Sequence, residues 1–219
     1  MKLKETQITT IDNILDKSGV VYVDYKFEIL DHIATEVEEL MAGKDLSFEN
    51  SLDLILKKWE PKLKKSTAST FGYFWEMPEI LMQKARKLYW RKMILLFGTS
   101  FVFMGILLLI KEVLAKFTEN ICYLLISILA IQFVGYIKIR LSRQKTTFGF
   151  LYKQQFFAFF FMYLISIYTL SINGKLLEKS ENEIFPVIFM IATLVVAPIM
   201  NFKFYNEHFE QLKRNKKLI

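Results

Sequence analysis

Glu28, Asp31, His32 and Glu36 fall in the stretch FEILDHIATEVEELM, within about two helical turns. Glu28 and His32 are spaced i, i+4, as are His32 and Glu36, with Asp31 alongside. An imidazole among carboxylates on one helix face has the donors for a metal ion or for proton transfer. The supply of further ligands is thin. The chain has 2 His and 1 Cys, and the second His, His208, stands near the opposite end. No His-Glu-x-x-His pair and no Cys-x-x-Cys pair occur. Structural zinc sites are normally four-coordinate. We therefore read Glu28, Asp31, His32 and Glu36 as a wet helix face that meets a partner. No catalytic, cofactor-binding or metal role is expected of them, and the expected cofactor complement is none.

These residues need a helix to carry them, and the apolar spacing supplies one. Phe27, Leu30, Ile33, Val37, Leu40 and Met41 form a stripe on a helix from about Tyr22 to Ala42, with Gly43 as its C′ residue. Before it, Ile8, Ile11 and Ile14/Leu15 mark a shorter helix that stops at Ser18-Gly19. After it, Ser47 is a suitable N-cap for a third helix bearing Phe48, Leu52, Ile55, Leu56 and Trp59, which Pro61 breaks or kinks. Residues 1–75 thus read as a small helical domain. Residues 1–83 hold 10 Lys and no Arg against 15 acidic residues, a net charge near −5.

The rest of the chain is near +12 and strongly apolar. Four stretches contain no Asp, Glu, Lys or Arg: about 93–110, 121–137, 156–172 and 184–200. Each is near the length that crosses a bilayer as a helix. Positive charge beside apolar runs points to anionic lipid headgroups, not to nucleic acid. Lys and Arg number five before the first span, then two, five, two and five in the successive loops and the tail. Cationic loops stay in the cytoplasm, so both termini are expected on the cytoplasmic side of a bacterial inner membrane. The opening MKLKETQITTIDNILDKSG lacks an apolar h-region, so no cleaved leader is expected. Residues 76–92 read as a juxtamembrane amphipathic helix, with Pro78 in its first turn, running into the first span. Residues 201–219 read as a basic cytosolic tail.

Inside the spans the strongly polar residue is Gln132, a candidate interhelical hydrogen-bond partner. Gly98 and Gly105 lie a heptad apart and would permit close helix packing. The aromatic stretch Phe71–Trp75 fits two places, the membrane surface or the edge of the soluble core. The fold class expected is all-α: a small cytosolic helical domain plus a four-helix transmembrane bundle.

Over about residues 8–63, with the pattern carried by Tyr25–Leu63, the sequence resembles the HAAS-type helical domain that precedes transmembrane spans in many bacterial membrane proteins. The shared pattern is a helix ending in acidic residues, a Gly turn, a Ser-containing cap and a second helix with Trp. It is also similar to multi-pass membrane proteins of Bacteroidetes that carry an Asp-His pair, here Asp31-His32, and a Trp-Glu/Lys-Pro element, here Trp59-Glu60-Pro61. The resemblance implies a cytosolic signalling or accessory module and transfers no catalytic residue. The functional expectation is a non-enzymatic, regulatory or accessory membrane protein. Its cytosolic domain would bind a protein partner or further copies of the chain. The alternatives are a small transporter, channel or transport subunit, and, third, a membrane enzyme.

Overall fold

The computed structural model describes residues 2–67, 76–172 and 181–216. Among them lie eight helices: α1 Glu5–Lys17, α2 Val23–Lys44, α3 Phe48–Leu63, α4 Glu79–Leu109, α5 Lys111–Lys116, α6 Thr118–Leu141, α7 Thr147–Ile172 and α8 Glu181–Lys216. Two short strands, β1 Lys65–Thr67 and β2 Glu76–Pro78, pair antiparallel with Ser66 opposite Met77. The aromatic stretch Phe71–Trp75 lies outside the described residues.

The chain folds as two units. The first comprises Met1–Lys87 with Arg143–Thr147 and Glu210–Ile219, and the second comprises Leu88–Ser142 with Phe148–Phe209. In the first, α2 packs on both α1 and α3. The core is built from Ile11 and Leu15 of α1, Ile29, Ile33 and Val37 of α2, and Phe48, Leu52, Ile55, Trp59 and Leu63 of α3. The stripe on α2 is therefore turned from the one expected. Ile29 is buried, Leu30 is half-buried, and Phe27 is 41% exposed. The stripes through Leu30 and through Ile29 both contain Ile33 and Val37, and packing from two sides selects the latter.

Local signals explain most helix ends. Ser18 closes α1, and Gly19 follows with φ +85°, a backbone state that favours glycine. The Ser47 hydroxyl accepts from the Asn50 N–H at 3.3 Å and starts α3. Two expectations are corrected. Gly43 is not the C′ residue of α2. The helix runs to Lys44, and Asp45 takes the left-handed conformation at φ 50°, which Asp tolerates better than most residues. Pro61 does not break α3, which continues to Leu63; the Lys57 carbonyl that loses its donor belongs to an exposed residue, where water can satisfy it. Pro78 ends β2, one residue ahead of α4.

The second unit contains the four-helix bundle. Among the described residues, four helices are long and apolar enough to cross a membrane. Many of their large side chains face outward: Leu109 is 86% exposed and Ile131 72%. Only 17% of the apolar window of α6 is buried within the chain. A helix that apolar and that uncovered is unstable in water and at home in lipid. The molecule is an all-α, multi-pass membrane protein.

The helices outrun the apolar stretches. α7 begins at Thr147 and α8 continues to Lys216. With 36 residues, α8 is about 54 Å long, well beyond the roughly 30 Å hydrocarbon layer. The segment read as a basic tail is thus helix through Lys216, and Asn201, Phe204, His208 and Asn215 on it are buried. Their spacing keeps one face inward, which is why the charged sequence remains ordered. Gly98 and Gly105 do not mediate close packing, since a Cβ built on either meets nothing within 4 Å.

Candidate functional site

On α2 the four ionisable residues separate into two pairs. Glu28 bonds the Lys84 ammonium with both carboxylate oxygens at 2.8 Å, and that ammonium lies 4.2 Å from the Tyr25 ring centroid. Glu36 is half-buried. It accepts from the Trp59 indole N–H at 3.1 Å and pairs with Lys58 at 2.9 Å. Burial would raise the Glu36 pKa, but the bonds from Lys58 and Trp59 outweigh it and hold the carboxyl below the usual range. Both glutamates therefore join α2 to neighbouring elements of its own unit. Asp31 and His32 are exposed and have no side-chain partner among the described residues. Among those residues no three His, Cys, Asp or Glu groups converge as metal ligands do.

At the start of α2, Asp24 accepts from the Thr147 main-chain N–H with both oxygens, at 2.9 and 3.0 Å. The Val23 N–H donates to the Lys145 carbonyl at 3.0 Å. Burial pushes the Asp24 carboxyl up, and the bonds from Thr147 offset part of that shift. Burial and the charge of Asp24 together push the Tyr22 hydroxyl up to about 12. These contacts bind residues 143–147 to the helical unit, and nothing in the local sequence announced them.

In the bundle, Gln132 lies at the centre of a buried polar cluster. Its Nε2 donates to the Tyr163 hydroxyl at 2.9 Å, and its Oε1 accepts from Asn201 Nδ2. The Tyr152 hydroxyl donates to the Gln132 carbonyl at 2.8 Å. Tyr163 in turn donates to the carbonyl of Leu194. That last bond has a specific cause. In α8, the residue four positions after Leu194 is Pro198, which has no N–H. The Leu194 carbonyl would be an orphan in an apolar interior, and Tyr163 supplies the missing donor. Gly135 makes room for the cluster, since a Cβ there would lie 2.3 Å from the Tyr152 hydroxyl.

The interhelical role expected of Gln132 is the one it plays, but Asn201, Gln155 and His208 were not anticipated. Gln155 and Asn201 stand just outside an apolar stretch and His208 lies eight residues beyond the fourth, and the helices carry all three into buried positions. His208 is 3.1 Å from the Ser142 hydroxyl and packs against Gly149, where a Cβ would come within 2.8 Å of its Nδ1. A cavity of about 480 Å³ adjoins the cluster, lined in part by Gln132, Tyr152, Asn201 and Lys138. The Asn201 Oδ1 has no hydrogen-bond partner among the described residues.

Fold and side-chain geometry together define the class: a multi-pass helical membrane protein with a separate small helical unit. No family model, curated protein or solved structure matches the chain.

Proposed function

We propose that this is a non-enzymatic accessory or regulatory protein of a bacterial inner membrane, whose helical unit lies in the cytoplasm and binds a protein partner through α2. The observation that carries the reading is the division of labour on that helix. Glu28 and Glu36 are tied to Lys84 and to Lys58 and Trp59, while Asp31 and His32 between them are exposed. Phe27, one turn before Asp31, is 41% exposed and adds an aromatic contact of the kind enriched at interfaces. A firmly held helix that leaves an acid, an imidazole and a phenyl ring uncommitted is suited to recognition. The resemblance to HAAS-type domains points the same way.

The alternative is a small transporter or transport subunit, favoured by the cavity beside Gln132 and by the unpartnered Asn201 oxygen. The polar groups of that cluster mostly satisfy one another and none of them is charged; Lys138 on the cavity wall and the buried His208 both lie outside the apolar stretches, at 121–137 and 184–200. Ion-coupled carriers normally need an ionisable group in the membrane. This supports an anchoring role for the bundle.

The two readings separate on one comparison. Full-length protein extracted in mild detergent should co-purify with a defined partner. The Phe27→Ala/Asp31→Ala/His32→Ala variant should lose it while retaining wild-type helicity. Each of these exposed changes is expected to shift stability by less than about 0.5 kcal/mol. Equal partner recovery from wild type and variant would remove α2 as the recognition surface.

A further inference from the structure

A second groove in the bundle lies between α4 and α8, with a volume of about 800 Å³. Its walls are apolar along most of their length, including Val102 and Ile106 of α4 and Val196 of α8. Lys92 and Lys203 line it as well, each next to the charged end of an apolar stretch. The two ammonium groups are close enough to act on each other directly. Neither is ion-paired among the described residues, and Glu207 is the carboxylate whose field reaches Lys92. Gly98 opens the trough below them, because a side chain there would meet nothing within 4 Å.

Two adjacent cations over an apolar trough call for an amphiphile with a negative head. We propose that this groove binds one anionic phospholipid, its phosphate between Lys92 and Lys203 and an acyl chain running past Gly98. A membrane-spanning helix from a second copy fits less well. The four apolar stretches contain no Asp or Glu, so such a helix would bring no carboxylate to the two lysines. The inference needs the multi-pass architecture but not the partner reading of α2.

Native mass spectrometry of the full-length protein in mild detergent tests it, with phosphatidylglycerol and phosphatidylcholine titrated separately. Wild type should take up one phosphatidylglycerol in preference to phosphatidylcholine. Lysines near a membrane surface favour anionic lipid, so Lys92→Gln/Lys203→Gln should weaken that adduct on the order of tenfold or more. Gly98→Phe leaves every charge in place and fills the trough. It should weaken the adduct by a similar factor, and it carries the test if the lysine variant fails to fold. Equal uptake of the two lipids by wild type would overturn the site. So would full phosphatidylglycerol binding by Gly98→Phe, which would mean that the cationic surface attracts lipid without using the groove. A wild-type dimer that Gly98→Phe dissociates would assign the groove to a second copy and overturn the proposal equally.

Discussion

Ile33→Ala is expected to destabilise the N-terminal helical unit by about 2–5 kcal/mol. Ile33 is fully buried on α2, the helix that packs on both α1 and α3. Removing its branched side chain leaves a hole that two neighbouring helices cannot both close. A core this small has only a few kcal/mol in reserve. Hydrogen exchange of α2 amides in the full-length protein, held in detergent, would register the change as faster local opening. Phe27→Ala, at an exposed position of the same helix, should leave exchange close to wild type. Similar acceleration by the two variants would mean that the buried face of α2 is assigned wrongly.

That contrast shows how much of α2 was legible in advance. The helix, its length and its polar face followed from the 3.6-residue period. The period also led to Ile33 and Val37. It did not settle whether Leu30 or Ile29 completes the buried stripe, because each lies within the breadth of one helix face. The choice depends on neighbours contributed by α1 and α3, which a local pattern does not contain. Glu28 and Glu36 illustrate the same limit. Their spacing with His32 was plain, but their partners, Lys84 and Trp59, lie 56 and 23 residues away along the chain.

Tyr163→Phe is expected to be the most damaging conservative change in the bundle. It deletes the donor to the Leu194 carbonyl and the acceptor for Gln132 at once. A buried polar group left unsatisfied costs about 1–3 kcal/mol, so the two together should lower stability by roughly 2–6 kcal/mol. Thermal unfolding in detergent of wild type and variant would measure it. Tyr168→Phe, with Tyr168 68% exposed, should have little effect. A second substitution isolates the cause. Pro198→Ala restores a main-chain N–H four residues after Leu194, so Tyr163→Phe should cost less in that background than in wild type. An unchanged cost would show that Tyr163 stabilises the bundle in some way unrelated to the proline.

In the bundle, the spans and the interhelical role of Gln132 could be read from hydropathy. The rest of the cluster could not, because apolar stretches bounded by the nearest charge stop short of the helices. α8 continues past Met200, so Asn201 and His208 turn inward although the composition around them is that of a basic tail. Pro198 is plain in the sequence. Its consequence, an orphan carbonyl met by a tyrosine 31 residues earlier in the chain, depends on how helices α7 and α8 pack.

The placement of α2 as a cytoplasmic recognition surface depends first on orientation, and topology mapping in living cells measures that directly. Periplasm-active and cytoplasm-active reporters would be fused after Arg143, after Asn173 and at the C-terminus. The alternation of basic and mixed loops predicts cytoplasmic activity at Arg143 and at the C-terminus, and periplasmic activity at Asn173. Cytoplasmic activity from the Asn173 fusion, or periplasmic activity from the Arg143 fusion, would contradict the four-span arrangement with both termini inside.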